Sequence, residues 1–306
     1  MRLITRLDFD GIVCSVLLRE RGVIDRYLFV HPKDVQDGKV EAMADDVVAN
    51  VPYIPGCGLW FDHHSSEEER LELQKLEFKG SSRTAPSAAQ VIWDYYGGVQ
   101  GFGSRFLPLL WAVNKSDSAE LTKEEILNPT GWILLSYLVD PRTGLGRFGQ
   151  FRLDHQRFML ELIDHCRTKP LAEILELADV KERSLLYFEQ QKQFEQMLQK
   201  CCQPCDHVLI TNLLEQETIY AGNRFLVFAL YPEQNVEVRI LWGKGKQNVV
   251  FAVGHSIINR TCRTNVGSLL LQFGGGGHRK VGTCQVPVDQ WQRVQTELVE
   301  RLRQEG

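Results

Sequence analysis

Several features that would assign this chain of 306 residues to a class at once are missing. No apolar run is long enough to cross a bilayer, which takes about 20 residues. The start, Met1-Arg2-Leu3-Ile4, lacks the apolar core of a signal sequence. We therefore expect a cytoplasmic protein that has no membrane partner.

An excess of positive charge is missing too. The chain has 35 Lys and Arg against 39 Asp and Glu, a formal net charge of -4, and a hydrophobic fraction of 43%. Long duplex nucleic acid is bound mainly through lysine and arginine, so this balance argues against such a partner. It still allows a short anionic ligand in a local basic pocket, and the composition is typical of a globular protein.

Clustered cysteines are scarce. The eight cysteines are scattered along the chain, and one C-x-x-C occurs at Cys202 and Cys205. A structural zinc site usually needs a second pair of ligands, which this sequence does not supply. We interpret most of the cysteines as small buried side chains in a reducing compartment.

Apolar runs alternate with helical patterns in the first third of the chain. The patterns predict strands at 3–4, 27–30, 47–51 and 58–61, and helices at 11–20 and 84–95. Residues 98–103 are predicted to be a loop between helices. The alternation predicts an α/β fold in which a mostly parallel sheet is flanked by helices on both faces.

The later part of the chain changes character twice. A helical stretch rich in Leu, Glu and Gln covers about 153 to 199, and strand patterns return after Pro204. The patterns there predict strands at 225–230, 236–240, 249–253 and 283–286, and helices at 266–271 and 291–302. We predict a first domain over 1–150, a helical connector over 151–203 and a smaller α/β domain over 204–306.

Polar side chains follow the predicted strands of the first domain. Asp8 and Asp10 come after the first strand, and the run Asp62 to His64 comes after the fourth. Asp117 follows an apolar helical segment. Because ligands bind beyond the carboxyl ends of parallel strands, we expect these side chains to meet in one crevice.

This mixture of carboxylates and imidazoles suits a metal site. Carboxylates prefer hard cations, and imidazole shifts the preference toward transition metals, so we predict Mn²⁺, with Mg²⁺ or Co²⁺ as substitutes. Two such ions about 3.5–4 Å apart would clamp a phosphoryl group. The alternative for the D-x-D-G run alone is a turn. Burying two histidines and a carboxylate without partners is costly, which favours the metal site.

A second group of anion-binding candidates lies near the end of the chain. Four glycines, 274–277, precede His278, and their consecutive amides are suited to an anion-binding nest. Upstream, Arg260 and Arg263 are suited to phosphate. The alternative is a flexible turn after a helix. Arg142 is explained equally well as a crevice residue and as part of a turn.

Together these motifs resemble the DHH superfamily of phosphoesterases with its associated C-terminal domain. That superfamily includes RecJ-type exonucleases, nano-RNA and cyclic-dinucleotide phosphodiesterases, and exopolyphosphatases. The resemblance covers nearly the whole chain, from Asp8-x-Asp10-Gly11 through Asp62-His63-His64 to the GGGGH run at 274–278. It implies a hydrolase with a manganese site in the first domain and a substrate site in the second.

The resemblance also implies roles for individual residues. His64 would contact the scissile phosphate or its leaving oxygen, and Asp62 would bind the metal or orient His63. The implied metal ligands are Asp8, Asp10, His63 and Asp117. The implied substrate-binding residues are Asn259, Arg260, Arg263, Gly275, Gly276, Gly277 and His278.

Two positions depart from the superfamily pattern. Arg6 stands where many members have a histidine, and Asn50 stands where they have an aspartate that bridges two ions. Without the bridge two dications repel each other more, and Arg6 repels a dication by several kcal/mol at an effective dielectric of about 20. We predict one ion, with Asp8 paired to Arg6. Two ions are the alternative if Asp45, Asp46 or another acid replaces the bridge.

Two functions follow from these motifs. The first is a metal-dependent phosphoesterase in which His64, Asp62 and Arg6 serve catalysis. Its substrate would be a short single-stranded RNA or DNA or a cyclic dinucleotide, with polyphosphate next. The second is a non-catalytic relative that binds nucleotide or phosphate through a degraded metal site. The intact motifs favour the first, and a homodimer is compatible with both.

Overall fold

The structure is a computed structural model that describes residues 1–64 and 77–305. The chain forms two compact units. The first unit consists of Met1–Glu120, Pro129–Pro141 and Phe148–Leu185, and the second of Leu121–Asn128, Arg142–Arg147 and Leu186–Gly306. The three-part division of the chain into 1–150, 151–203 and 204–306 stays a prediction.

The first unit is built on a parallel sheet. Its strands are β1 (Arg2–Thr5), β2 (Arg26–Phe29), β3 (Asp46–Ala49), β4 (Leu59–Asp62) and β5 (Gly80–Ser82). They lie in the order β2-β1-β3-β4-β5, and every neighbouring pair is parallel. The chain goes from β1 to β2 on one side and then to β3 on the other, so the sheet has its switch point between β1 and β3.

Helices make up much of the remaining described chain. In chain order they are α1 (Phe9–Glu20), α2 (Pro32–Gln36), α3 (Ala88–Tyr95), α4 (Gly98–Phe102), α5 (Leu107–Asp117), α6 (Lys123–Leu127), α7 (Gly131–Val139), α8 (His155–Thr168), α9 (Leu171–Glu176), α10 (Ala178–Cys201), α11 (Leu226–Leu230), α12 (Val266–Leu271) and α13 (Trp291–Glu305). Short 3₁₀ helices lie at Ser104–Phe106, Pro141–Thr143, Leu145–Arg147 and Lys244–Lys246. None of the helices in the described ranges is long and apolar enough to span a membrane.

Both faces of the parallel sheet are buried, as expected when helices cover a parallel sheet on each side. Ile4, Val48 and Trp60 lie side by side in register and belong to one core cluster. Leu3 and Val47 alternate onto the other face and are also fully buried. The apolar strands of the sequence are therefore explained by burial on two sides.

The turn from β1 into α1 is tight. Asp8 caps α1, and its side chain accepts a hydrogen bond from the amide of Gly11 at 3.0 Å. A Cβ atom at Gly11 would lie 1.9 Å from the carbonyl oxygen of Arg6, a distance that no real Cβ adopts. Glycine is required here because the helix starts directly against the end of the strand.

The second unit contains a mixed sheet. Its strands are β6 (Cys202–Cys205), β7 (Val208–Asn212), β8 (Val236–Trp242), β9 (Val249–His255), β10 (Gly276–His278) and β11 (Val281–Val286). The order is β10-β11-β9-β8-β7-β6, with β7 and β8 parallel and the other neighbours antiparallel. One core cluster joins this sheet to residues of α12 and α13.

The predicted fold class, an α/β protein with a parallel sheet first and a smaller α/β part later, is confirmed. Two local predictions are wrong. The run at 225–230 forms α11 instead of a strand, because a short apolar run that is buried all round fits either element. Residues 98–103, predicted to be a loop, contain α4.

We expect Gly11→Ala to lower the free energy of unfolding by about 1–3 kcal/mol, because the methyl group forces the β1–α1 turn apart. Chemical denaturation followed by circular dichroism measures the change. Gly146→Ala is the matched control, since no atom lies within 4 Å of its added Cβ. Equal stability of the two variants would contradict the steric argument.

Candidate metal centre and active site

Three potential metal ligands meet beyond the carboxyl ends of the parallel strands. Asp10 lies in the first turn of α1, His63 follows β4, and Asp117 ends α5. Their ligand atoms all lie within 4.8 Å of one another. The Nε2 atom of His63 is 3.8 Å from Oδ2 of Asp10 and 3.3 Å from Oδ2 of Asp117.

Asp10 is a buried carboxylate held by the start of another helix. Its Oδ2 accepts a hydrogen bond from the amide of Ala88 and its Oδ1 one from the amide of Ala89, both at 2.9 Å. These amides belong to the first turn of α3, where helical partners are lacking and the dipole favours an anion. Burial and the nearby charge of Asp8 raise the pKa of Asp10 to about 7, although the two amides oppose this shift.

His63 presents a lone pair to this cluster. Its Nδ1 lies 3.2 Å from the carbonyl oxygen of Ala85, which only accepts, so Nδ1 carries the proton. In the neutral ring Nε2 is therefore the free base. That atom is buried and has no hydrogen-bond partner among the described residues. A metal ligand needs this tautomer, fixed through the other ring nitrogen.

Asp117 is the most exposed of the three ligand side chains. About a third of its side chain, 30%, is exposed. Burial of the remainder and the neighbouring charge of Asp10 raise the pKa of its carboxyl. Two carboxyls that both resist ionisation next to an unpaired imidazole nitrogen form a site that a cation would stabilise.

A hydrogen-bond network joins α3, whose first amides bind Asp10, to α5, which carries Asp117. The Ser87 hydroxyl caps α3 and donates to Oδ1 of Asn114 at 2.6 Å. The Asn114 amide in turn donates to Oε1 of Gln90 at 2.6 Å. Asn114 precedes Asp117 by three residues in α5, so the network ties the helix that holds Asp10 to the helix that carries Asp117.

This donor set fits a divalent cation. Ligand atoms about 2.1 Å from an ion lie about 3 Å apart at adjacent coordination positions, close to the distances between His63 and the two carboxylates. Two carboxylates and one imidazole suit a first-row ion or Mg²⁺ and leave positions for water or substrate. Two overlapping groups of side chains could hold an ion: Asp10, His63 and Asp117, and Asp62, His63 and His64. The first group is favoured, because in the second Nδ1 of His64 and Oδ1 of Asp62 already bind each other at 2.9 Å.

His64 and Asp62 form a separate pair beside the cluster. Nδ1 of His64 donates to Oδ1 of the fully buried Asp62 at 2.9 Å. Burial of the ring acts to lower the pKa of His64, but the hydrogen bond and charge of Asp62 outweigh it and raise the pKa to about 9. The ring is 43% exposed and therefore accessible to a ligand. Asp62 thus orients His64, whereas the resemblance implies that it binds the metal or orients His63.

The structure does not bring Asp8 into the ligand cluster. Its Oδ1 accepts from the amide of Gly11 and from Nδ2 of Asn50, each at 3.0 Å. Its Oδ2 pairs with Nε of Arg6 at 3.0 Å. Asn50 follows β3 in a left-handed conformation, φ 57°, which asparagine tolerates. Asp8 is thus neutralised by the chain itself at the switch point between β1 and β3.

The acids proposed as substitutes for the bridge lie elsewhere. Asp46 opens β3, where Arg2 holds its carboxylate with two hydrogen bonds of 2.9 and 2.7 Å. Asp45 is largely exposed and pairs with Arg26. Since β1 and β3 are parallel, Arg2 and Asp46 mark the edge of the sheet opposite to Asp8 and Asn50. Neither acid reaches the ligand cluster.

The predicted substrate-binding residues of the second unit lie in and next to the strands. Asn259 donates to the carbonyl of Glu233 at 2.7 Å, and Nε of Arg260 donates to the carbonyl of Ile257 at 3.0 Å. Arg263 is exposed, as is His278 in β10. A role for them in substrate binding stays a prediction.

The glycine run is explained in part by packing. The amides of Gly274 and Gly275 donate to the carbonyls of Leu271 and Leu270 at the end of α12, so four free amides are not present. A Cβ at Gly275 or at Gly277 would lie 2.3 Å from a carbonyl oxygen of β11. Anion binding by Gly275, Gly276 and Gly277 stays a prediction, but the nest of four consecutive amides is wrong.

Several residues of the site were missed from the sequence. The amides of Ala88 and Ala89 carry no side-chain pattern, and Ser87 lies within the helix predicted at 84–95 without a pattern that predicts its bond to Asn114. Asn114 lies three residues before Asp117, but nothing in the sequence predicts its hydrogen bonds. Arg142 lies in the 3₁₀ helix Pro141–Thr143 and is grouped with the second unit, so its place in the crevice stays a prediction.

Comparison with known proteins identifies the family. No protein-family model and no curated protein sequence matches the chain. Among solved structures, the chain is 44% identical to a pGpG-specific phosphodiesterase, PggH from Vibrio cholerae. The match covers 100% of this chain and 99% of that chain, with a TM-score of 0.88.

Two more distant structures share the fold. One is RecJ from Thermus thermophilus in complex with Mn²⁺, with 14% identity, a TM-score of 0.55, and coverage of 99% of this chain and 52% of that chain. The other is a DHH domain from a member of a ribosomal-protein family, with 12% identity, a TM-score of 0.60, and coverage of 99% and 86%.

A relative that is 44% identical over the full length shows more than a shared fold. The D-x-D and D-H-H motifs, the parallel sheet and the second α/β unit all agree with the resemblance seen in the sequence. The chain belongs to the DHH superfamily of phosphoesterases and is a metal-dependent hydrolase of phosphate esters or anhydrides.

Proposed function

We propose that this protein is a manganese-dependent phosphodiesterase that hydrolyses a linear dinucleotide of the pGpG type to two mononucleotides. The observation that carries the chemistry is the unpaired Nε2 of His63, which faces Asp10 and Asp117. The substrate class is taken from the full-length relative, which is described as specific for pGpG. Cyclic dinucleotides, longer oligonucleotides and polyphosphate are the competing substrates.

Manganese is favoured by the donor set. Two carboxylates alone would suit Mg²⁺, whereas the imidazole of His63 shifts the preference toward a first-row transition ion. The bound ion would supply Lewis-acid stabilisation of the charge on the phosphoryl oxygens. Asp10, His63 and Asp117 would hold it.

The side chains around the ion would orient the substrate. In hydrolysis, water forms a new P–O bond, the P–O3′ bond breaks, and the leaving O3′ takes a proton. His64 is exposed and fixed by Asp62 through Nδ1, so its other ring nitrogen would donate to the phosphate or to the leaving oxygen. Arg6 is fixed by Asp8 through Nε, and its terminal nitrogens would contact a phosphate oxygen.

A single ion is supported by the pairing of Asp8. Both of its carboxylate oxygens accept hydrogen bonds or pair with the guanidinium of Arg6. An ion bound there would have to displace Arg6 and would be repelled by it. Asn50 adds no negative charge at the same edge. We therefore propose that Arg6 replaces the charge of a second cation.

Hydrolysis of pGpG is the first test. Metal-stripped protein, reloaded with Mn²⁺, should convert pGpG to GMP faster than it cleaves cyclic di-AMP, longer oligonucleotides or polyphosphate, as measured by chromatography. Asp10→Asn and His63→Ala should reduce the rate by at least about 100-fold, since each removes a ligand. A wild-type rate no higher than that of these variants for every substrate would restore the alternative of a non-catalytic binding protein.

Metal content is the second test. We expect about one Mn²⁺ per chain, and expect His63→Ala and Asp117→Asn to lose it, as measured by plasma mass spectrometry and titration calorimetry. Asp34→Asn, which removes an exposed carboxylate of α2, is the control and should retain the ion. Two ions per wild-type chain would contradict the role assigned to Arg6.

The network at Asn114 provides a third test. Asn114→Ala removes the two hydrogen bonds by which Asn114 joins α3 to α5, so we expect Mn²⁺ affinity to fall by about 10-fold. Calorimetric titration measures it. Asn128→Ala, which breaks an exposed contact with Glu124, is the matched control. A lower melting temperature of Asn114→Ala with unchanged Mn²⁺ affinity would reduce the network to a purely structural role.

A further inference from the structure

The central strand of the second sheet carries charge on the face opposite its core. Val236, Val238 and Ile240 of β8 belong to the core cluster under α12 and α13. Glu237 and Arg239 alternate with them and therefore point to the other face. A strand of this kind usually presents such residues to water.

Glu237 and Arg239 are, however, paired and largely buried. Nε and Nη2 of Arg239 donate to the two carboxylate oxygens of Glu237 at 2.9 and 3.1 Å. Their side chains are 8% exposed for Glu237 and 20% for Arg239. Burying an ion pair often costs more than the pair returns in stability, so stability alone does not explain a pair in this position.

The surface next to this pair on the β9 and β11 side is accessible. Across the sheet, Arg239 lies opposite Ala252 of β9 and then Thr283 of β11. Glu237 lies opposite Gly254 and then Val281. Paired residues share a face, so Gly254 and the side chains of Ala252, Val281 and Thr283 form a shelf beside the ion pair. Val281 and Thr283 are exposed, and Ala252 and Gly254 are partly exposed.

Arg239 has N–H groups that do not bind Glu237 and that can bind a ligand on this shelf. A guanidinium offers five N–H groups, and Glu237 takes one edge, Nε with Nη2. Within the described part of the chain, the hydrogen bonds of Arg239 to Glu237 come from Nε and Nη2, not from Nη1. The edge formed by Nη1 and Nη2 is held in a fixed orientation by Glu237, as bidentate recognition requires.

We propose that the shelf of Ala252, Gly254, Val281 and Thr283 binds a guanine base of the substrate, which Arg239 recognises through the paired acceptors O6 and N7. Arginine bound to O6 and N7 is the commonest specific contact to guanine, and adenine presents a donor where guanine has O6. The small side chains leave room for a planar ring. The inference rests on the proposed dinucleotide substrate and adds the residue that selects its base.

The test measures equilibrium binding in EDTA, so that no hydrolysis occurs. Wild-type protein is titrated by calorimetry with pGpG, with pApA, and with the corresponding dinucleotides of inosine and 7-deazaguanine. We expect pGpG and the inosine dinucleotide to bind alike, because inosine keeps O6 and N7. The other two should bind about 10-fold or more weakly. Weak binding of the inosine dinucleotide would instead identify the 2-amino edge and overturn the proposal.

Variants test whether Arg239 is the residue that causes the preference for pGpG over pApA. Arg239→Gln should reduce pGpG affinity to that of pApA, and Arg239→Lys should recover little, because lysine lacks the bidentate fork. Arg301→Gln, which breaks an exposed ion pair with Glu305, is the matched control and should keep the preference. Equal losses for pGpG and pApA in Arg239→Gln would mean that Arg239 binds phosphate and would overturn the proposal, as would no loss at all.

A double variant serves as the control for correct folding. Arg239→Gln leaves Glu237 buried without its partner, so the double variant Glu237→Gln/Arg239→Gln, which removes both charges, is measured as well. It should lose the base preference while keeping the wild-type secondary structure. A double variant that still prefers pGpG overturns the proposal. Base preference without turnover would refute only the proposed hydrolysis, and turnover without preference would refute only the base site.

Discussion

The buried carboxylate of Asp10 is the constraint around which the first unit is organised. A buried negative charge needs compensation, and the amides of Ala88 and Ala89 supply part of it by placing the start of α3 against the start of α1. The rest is missing in the protein alone, as the raised pKa of Asp10 indicates. A cation at this point would therefore bind to a position that the folding of two helices has already fixed.

The two aspartates of the D-x-D motif have different environments although one residue separates them. Asp8 faces the switch point, where Asn50, Gly11 and Arg6 supply all the donors that its carboxylate needs. Asp10 turns toward His63, which leaves charge uncompensated. Had both been left uncompensated, two negative charges would have remained at this end of the sheet. Because Arg6 pairs with Asp8, a bound metal ion would have to balance only the negative charge around Asp10.

The sequence predicts the fold and the meeting of Asp10, His63 and Asp117 because both follow from local patterns. Buried parallel strands appear as apolar runs, and side chains after such strands gather at one edge of the sheet. The amides under Asp10 and the bond between Ser87 and Asn114 follow no local pattern. They depend on which helices pack together, as does the helical form of the run at 225–230.

The metal centre and the choice of substrate make different physical demands. In the proposed mechanism a cation, a histidine and an arginine would act on the phosphate, which every nucleotide shares, so these groups alone would accept any phosphodiester. Selection of a base needs donors held rigidly in one plane away from the phosphate. In the second unit Glu237 holds Arg239 in this way, and strand alternation alone would have assigned both residues to solvent. Their burial is what separates a recognition element from a solvated charge pair.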